Sequence, residues 1–171
     1  MRFNNALVYG PDFRFRKGGF SVENGRFSAV LTETQEPAAD LNGAFVIPGL
    51  VDIHNHGNSG HDFSDGDAEG LRIIARYLAL HGVTSFAPAA VTLPGEQLIR
   101  AFANAALFAE DAPEGCSVLR GIHMEGPFFA EKKKGAQNGA YLQQPDIGMF
   151  LRLNKAANGL IRIADVAPEL P

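Results

Sequence analysis

The sequence predicts an α/β fold, in which a short antiparallel meander over residues 1–45 leads into strands alternating with helices over residues 46–171. Two observations point there. Early turn signals crowd together at Asn4-Asn5, Gly10-Pro11, Lys17-Gly18-Gly19 and Glu23-Asn24-Gly25, leaving only short runs between them. Later strand-like apolar runs are separated by segments whose apolar residues recur at the spacing of one helix face.

In the meander the expected strands are residues 6–9, 13–15, 19–22 and 26–31. Glu23-Asn24-Gly25-Arg26 is a hairpin signal, because Asn-Gly accepts the positive φ values of a tight turn. So few short strands bury little apolar surface alone and call for a partner surface. Residues 45–55 then form a near-continuous apolar run ending in polar residues, the first expected parallel strand. Leu71, Ile74, Ala75 and Leu78 mark a helix that Gly82 stops. Residues 83–91 form the second strand. Thr92 is the expected N-cap of the next helix, with Pro94 in the first turn and Leu98, Ile99, Phe102, Ala105 and Ala106 as its stripe. A third strand follows at 118–124, a helix at 146–157 closed by Gly159, and a fourth strand at 160–166. This alternation implies right-handed βαβ units and a parallel sheet.

Composition excludes several classes. Fifteen Lys and Arg against 19 Asp and Glu give a net charge of −4, leaving no basic stripe for nucleic acid. The run Lys132-Lys133-Lys134 reads as a solvated loop. The lone Cys116 excludes an internal disulfide framework and suits a reducing compartment. No apolar run approaches the ~20 residues of a membrane helix, and no apolar stretch follows the N-terminal Met-Arg-Phe-Asn-Asn as a signal peptide requires. A cytoplasmic protein with no membrane partner is expected. At 171 residues the chain is too short for a closed eight-stranded α/β barrel, which needs about 250.

His54-Asn55-His56 is the strongest chemical signal. Residues i and i+2 of a strand share a side, so both imidazoles reach one point, at the strand end where α/β folds place their sites. The pair reads either as metal ligands or as polar residues ending a strand. Neutral imidazoles suit Zn, Fe, Ni or Cu alike. Asp52 shares their parity; it is either an acceptor for an imidazole N–H or, the simpler reading, a carboxylate satisfied by backbone amides. Glu125 ends the third strand immediately before Gly126-Pro127. A carboxylate after mostly apolar residues is costly to bury unless paired or metal-bound, so it is a candidate ligand or acid–base group. His123 reads as a core histidine, His61 as a loop residue, and His81 as a helix-end residue that complements the macrodipole. Lys133-Lys134-Gly135-Ala136-Gln137-Asn138 reads equally as an anion-attracting loop or a flexible surface loop.

Together these segments resemble a known family. Pro48-Gly49-Leu50-Val51-Asp52-Ile53-His54-Asn55-His56 is similar to the first barrel strand of the amidohydrolase superfamily, and Gly82-Val83-Thr84-Ser85-Phe86-Ala87-Pro88 to a later strand. Gly121-Ile122-His123-Met124-Glu125-Gly126-Pro127-Phe128 resembles the H-x-E-G-P segment of N-acetylglucosamine-6-phosphate deacetylases. Lys133-Lys134-Gly135-Ala136-Gln137-Asn138 resembles their K-K-G-A-H-N loop, and Val166-Ala167-Pro168-Glu169 their L-A-P-E strand end.

The resemblance implies the N-terminal half of a (β/α)8 TIM-like barrel over residues 46–171, about four βα units, preceded by a partial small β-sandwich over 1–45. It implies hydrolysis of the acetamide of N-acetylglucosamine 6-phosphate, with an ion polarising the amide and activating water. His54, His56 and Glu125 are the implied ligands of one or two divalent ions (Zn, Fe, Ni or Co), and Ala136 contacts the sugar through its backbone. The catalytic aspartate, two further histidine ligands and the phosphate-binding residues are expected beyond residue 171, so this chain alone is expected to be inactive. An exposed parallel edge then favours self-association into a homo-oligomer. Gln137 departs from the family's histidine, which keeps open another amide hydrolase of the superfamily. A non-catalytic half-barrel module is the third reading.

Overall fold

Asn24 and Gly25 both take positive φ (51° and 72°), as an Asn-Gly hairpin turn requires. They join two strands of the first of two units into which the chain divides. The structure is a computed structural model that describes residues 1–111 and 113–170. Unit 1 is Met1–Pro48 and unit 2 is Gly49–Pro171.

Unit 1 is one sheet of five strands: β1 (Arg2–Tyr9), β2 (Phe15–Glu23), β3 (Arg26–Val30), β4 (Ala39–Asp40) and β5 (Phe45–Val46). β1, β2 and β3 form the expected antiparallel meander, with the Asn24-Gly25 turn between β2 and β3. Three expectations are corrected. First, β4 and β5 pair parallel with β1, so the sheet is mixed. Second, Phe13 has φ 60° and lies in a turn closed by its N–H donating to the Gly10 carbonyl, so β2 starts only at Phe15. Third, the apolar run at 45–55 is two strands: Phe45 and Val46 belong to unit 1, and Pro48, with no N–H to give a ladder, separates them from the next strand.

Unit 2 opens with β6 (Leu50–Asn55), followed by a ribbon of β7 (Gly57–Asn58) and β8 (His61–Asp62). Then come α1 (Ala68–Leu80), β9 (Val83–Ala90), α2 (Gly95–Asp111), β10 (Val118–Leu119), β11 (Ile122–Met124), α3 (Ile147–Ala156) and β12 (Ile161–Ala164). Both β6 and β11 pair parallel with β9, and β12 pairs parallel with β11, giving a parallel α/β sheet whose strands neighbour in chain order. The expected third strand is broken: β10 and β11 each pair with β9, interrupted at Arg120 and Gly121.

The helices form where the stripes place them. Asp67 caps α1, accepting from the Glu69 and Gly70 amides, and Asp146 caps α3, accepting from Gly148 N at 2.7 Å. Thr92 does not cap α2. The Pro94 carbonyl accepts the first helical amides, from Gln97 and Leu98, while Thr92 Oγ1 is buried without a partner. The hydroxyl is committed to packing instead: a Cβ on Gly126 (φ +94°) would stand 2.2 Å from it. The core lies between helices and sheet, built on Leu71, Ile74, Phe86, Leu98, Phe102, Ile122, Met124 and Leu153. Each such side chain contributes roughly 1.5–3 kcal/mol by burial. No helix among the described residues is long and apolar enough to cross a membrane.

Candidate metal centre and cleft

His54, Glu125 and Asp165 lie at or just past the C-terminal ends of β6, β11 and β12. His54 lies in β6, His56 is the first residue past its end, and Glu125 follows β11 directly. Ligand atoms of His54, His56 and Glu125 all lie within 4.8 Å of one another. His56 Nε2 stands 3.0 Å, and His54 Nε2 3.7 Å, from Glu125 Oε2.

The orientation of His56 is fixed from behind. Its Nδ1 donates to the Ala89 carbonyl at 3.0 Å, which turns Nε2 toward Glu125. Glu125 Oε2, which His56 Nε2 approaches, is buried with no hydrogen bond. A buried carboxylate oxygen without a hydrogen bond is costly unless a cation partners it. Two imidazoles and one carboxylate form a donor set that fits a divalent transition ion.

Asp52 Oδ1 accepts from the His54 amide at 3.0 Å, a carboxylate satisfied by backbone. His123 is buried, with Nδ1 3.1 Å from the Ile53 carbonyl and 3.2 Å from His54 Nδ1, and Nε2 3.1 Å from Asp165 Oδ2. His61 is not in the cluster; its ring packs against Gly70 near Asp67 of the α1 N-terminus. His81 caps α1, its Nδ1 2.8 Å from the Tyr77 carbonyl.

A cleft of about 660 Å³ opens beside the cluster, lined by His56 and Glu125 on one side and by Lys133, Lys134, Gly135, Ala136, Gln137 and Asn138 on the other. The loop is anchored: Gln137 Oε1 accepts from Thr92 N at 2.6 Å, and Lys134 Nζ donates to the Gln137 carbonyl at 3.1 Å. Asp165 and Asp62 also line the cleft, and sequence reasoning passed over both. Asp165 had a signal: it directly follows β12, the position that Glu125 holds after β11.

No family model matches the chain. A curated N-acetylglucosamine-6-phosphate deacetylase of Bacillus subtilis (strain 168) is 33% identical over 165 residues, covering 90% of this chain and 41% of the relative. A solved deacetylase of Mycobacterium smegmatis, in complex with N-acetyl-D-glucosamine-6-phosphate, superposes with a TM-score of 0.86 at 28% identity over 99% of this chain and 44% of that one. The chain is homologous to the N-acetylglucosamine-6-phosphate deacetylases. The Pasteurella multocida deacetylase gives a TM-score of 0.87 at 26% identity, again over 99% of this chain. The chain spans less than half the length of these deacetylases (41%, 44% and 45%).

Proposed function

We propose that this chain supplies the metal-ligand and substrate-loop part of an N-acetylglucosamine-6-phosphate deacetylase, a hydrolase that releases acetate from the substrate's acetamide. One observation carries the reading: His54, His56 and the unpartnered Oε2 of Glu125 converge at the mouth of the cleft walled by the 133–138 loop. In this reading unit 2 is the first half of a (β/α)8 barrel and unit 1 part of a small sandwich. The exposed edge strand β6, with Leu50, Val51 and Ile53 all more than half exposed, supports further pairing partners, whether the rest of the barrel or a second copy. The free thiol of Cys116 suits a cytoplasmic setting.

His54, His56 and Glu125 would hold one or two divalent ions, with Zn, Fe, Ni and Co the candidates for this donor set. When bound, such an ion supplies Lewis-acid polarisation of the amide and a more acidic water. The chain's own residues do the rest of the local work. Ala89 orients His56 through its carbonyl. Gly135, at φ +60° with open space at its Cβ position, lets the loop backbone at Ala136 approach a sugar closely. Lys133 brings positive charge to the cleft that suits a phosphorylated sugar. Gln137 spends its side-chain oxygen on Thr92, so it holds the loop rather than presenting that oxygen to substrate.

The test is acetate release from N-acetylglucosamine 6-phosphate by the protein expressed in its full native reading frame, beside a panel of other N-acyl sugars and cyclic amides. Turnover of the phosphorylated sugar above the rest is expected. Preference for a cyclic amide would overturn the reading in favour of another amide hydrolase, the alternative that Gln137 supports. The 171-residue chain alone is expected to show no turnover.

A further inference from the structure

We propose that Gln137 is a positioning residue: its side chain fastens the 130–142 segment beside the cleft and so sets how readily the loop meets a sugar. The proposal rests on the 133–138 loop being the substrate loop of a deacetylase.

Little else holds this segment. The Gln143 amide donates to the Pro127 carbonyl at 3.0 Å and closes the base of the excursion. Between them lie two short 3₁₀ turns, Glu131–Lys133 and Gly139–Tyr141, neither with a buried residue. No side chain from 130 to 142 is buried in the core. The segment's hydrogen bonds run within itself, from Lys133 N to the Ala130 carbonyl, from Tyr141 N to the Asn138 carbonyl and from Ala140 N to Asn138 Oδ1. Among the described residues, one hydrogen bond joins 130–142 to the rest of the protein: Thr92 N donates to Gln137 Oε1 at 2.6 Å.

The other end of that bond needs it equally. Thr92 lies between the last residue of β9, Ala90, and the first of α2, Gly95, past the ladder and before the helix. The amide of its neighbour Val91 donates to Ser64 Oγ at 3.0 Å. Thr92 is only 1% exposed, so its N–H must find a partner in the protein. Gln137 supplies it. A loop with no other anchor and an amide with no other acceptor are satisfied together. The fixed point then reaches Ala136 through the turn. Gln137 N donates to the Lys134 carbonyl at 3.1 Å, and Lys134 Nζ donates to the Gln137 carbonyl at 3.1 Å. Holding Gln137 therefore holds the Ala136 backbone at the cleft wall. A site assembled only part of the time loses apparent affinity by that fraction. A contact equal in ground and transition states changes KM and leaves kcat alone.

The test uses the protein in its full native reading frame and two readouts. The first is the rate of trypsin cleavage after the exposed Lys132 and Lys133, with sites assigned by mass spectrometry. Gln137→Met, of equal length but without the acceptor, is expected to be cut about 3–10-fold faster than wild type, the factor one net hydrogen bond carries. Gln137→Asn, one methylene shorter, should behave alike and serves if Gln137→Met does not fold. Gln137→Glu keeps an acceptor at the same reach and should be cut at the wild-type rate. The second readout is steady-state hydrolysis of N-acetylglucosamine 6-phosphate. Gln137→Met and Gln137→Asn should raise KM about 3–10-fold with kcat kept. Equal cleavage in wild type, Gln137→Met and Gln137→Asn overturns the proposal, as does a fall in kcat at unchanged KM. A wild-type protein that does not turn over the sugar overturns the deacetylase reading instead, and the cleavage rates still decide whether Gln137 fastens the loop.

Discussion

Both units rest on five strands, yet they solve the burial problem differently. In unit 2, helices cover the sheet and a core from Phe63 to Ala157 is closed to solvent. In unit 1 no helix lies on the sheet, and among the described residues only Ala6 and Val8 are buried apolar side chains, while Phe13, Phe27, Phe45 and Ile47 stay more than half exposed. An apolar groove lined by Val8, Tyr9, Phe20, Phe27, Val30, Val46, Ile47 and Pro48 runs along it. The difference teaches that strand count does not make a core; a sheet needs a second layer. It also explains why the chemistry collects in unit 2, where packed strands hold their C-terminal ends in register.

The largest test of this contrast is one substitution made twice. Phe102→Ala in unit 2, fully buried against Phe63, should destabilise that unit by about 3–5 kcal/mol in chemical denaturation. Phe27→Ala in unit 1, two-thirds exposed and touching Phe20 edge-on, should cost about 1 kcal/mol or less. Equal losses would show that unit 1 has a packed layer this account denies it. Gly126→Ala comes next. A Cβ there meets Thr92 at a strained φ of +94°, and about 1–3 kcal/mol of destabilisation is expected, with displacement of the neighbouring Glu125 visible as weakened metal binding. Asp67→Ala removes the cap of α1 and should cost about 1 kcal/mol, read from the same unfolding curves.

The smallest effect is a pH dependence confined to unit 1. Hydrogen bonds from the Asn42 amide and the Asn5 side chain hold the Asp40 carboxyl below its ordinary range. A lowered native value means the stabilisation is full above the unfolded carboxylate range and is lost as pH falls through the native one. The protection factors of β1 and β4 amides, corrected for the intrinsic exchange rate, should therefore fall slightly on acidification, and Asp40→Asn should remove that acid-side slope.

Much of this was legible before the structure. The stripe of Leu71, Ile74, Ala75 and Leu78 placed α1, and the parity of His54 and His56 with a carboxylate ending the third strand pointed to three side chains that the fold does bring together. What failed was set by contacts between segments distant in sequence. Phe45 and Val46 look like the start of the next strand, and only pairing with β1 assigns them to unit 1. Thr92 has the right chemistry for a cap, but Gly126, thirty-four residues later, packs on its hydroxyl. Asp165 meets its partner, His123, only across the pairing of β11 with β12. Local patterns specify elements; partners chosen in three dimensions specify which side chain ends up against which.

The central claim is that His54, His56 and Glu125 form one metal centre. Its most direct measurement is a Zn²⁺ titration of the purified chain by calorimetry, run in parallel with Glu125→Gln and His56→Ala. The account predicts saturable binding of at least one ion per chain in the wild type and its loss in both variants. Binding that survives in both, or that is absent from all three, would contradict it.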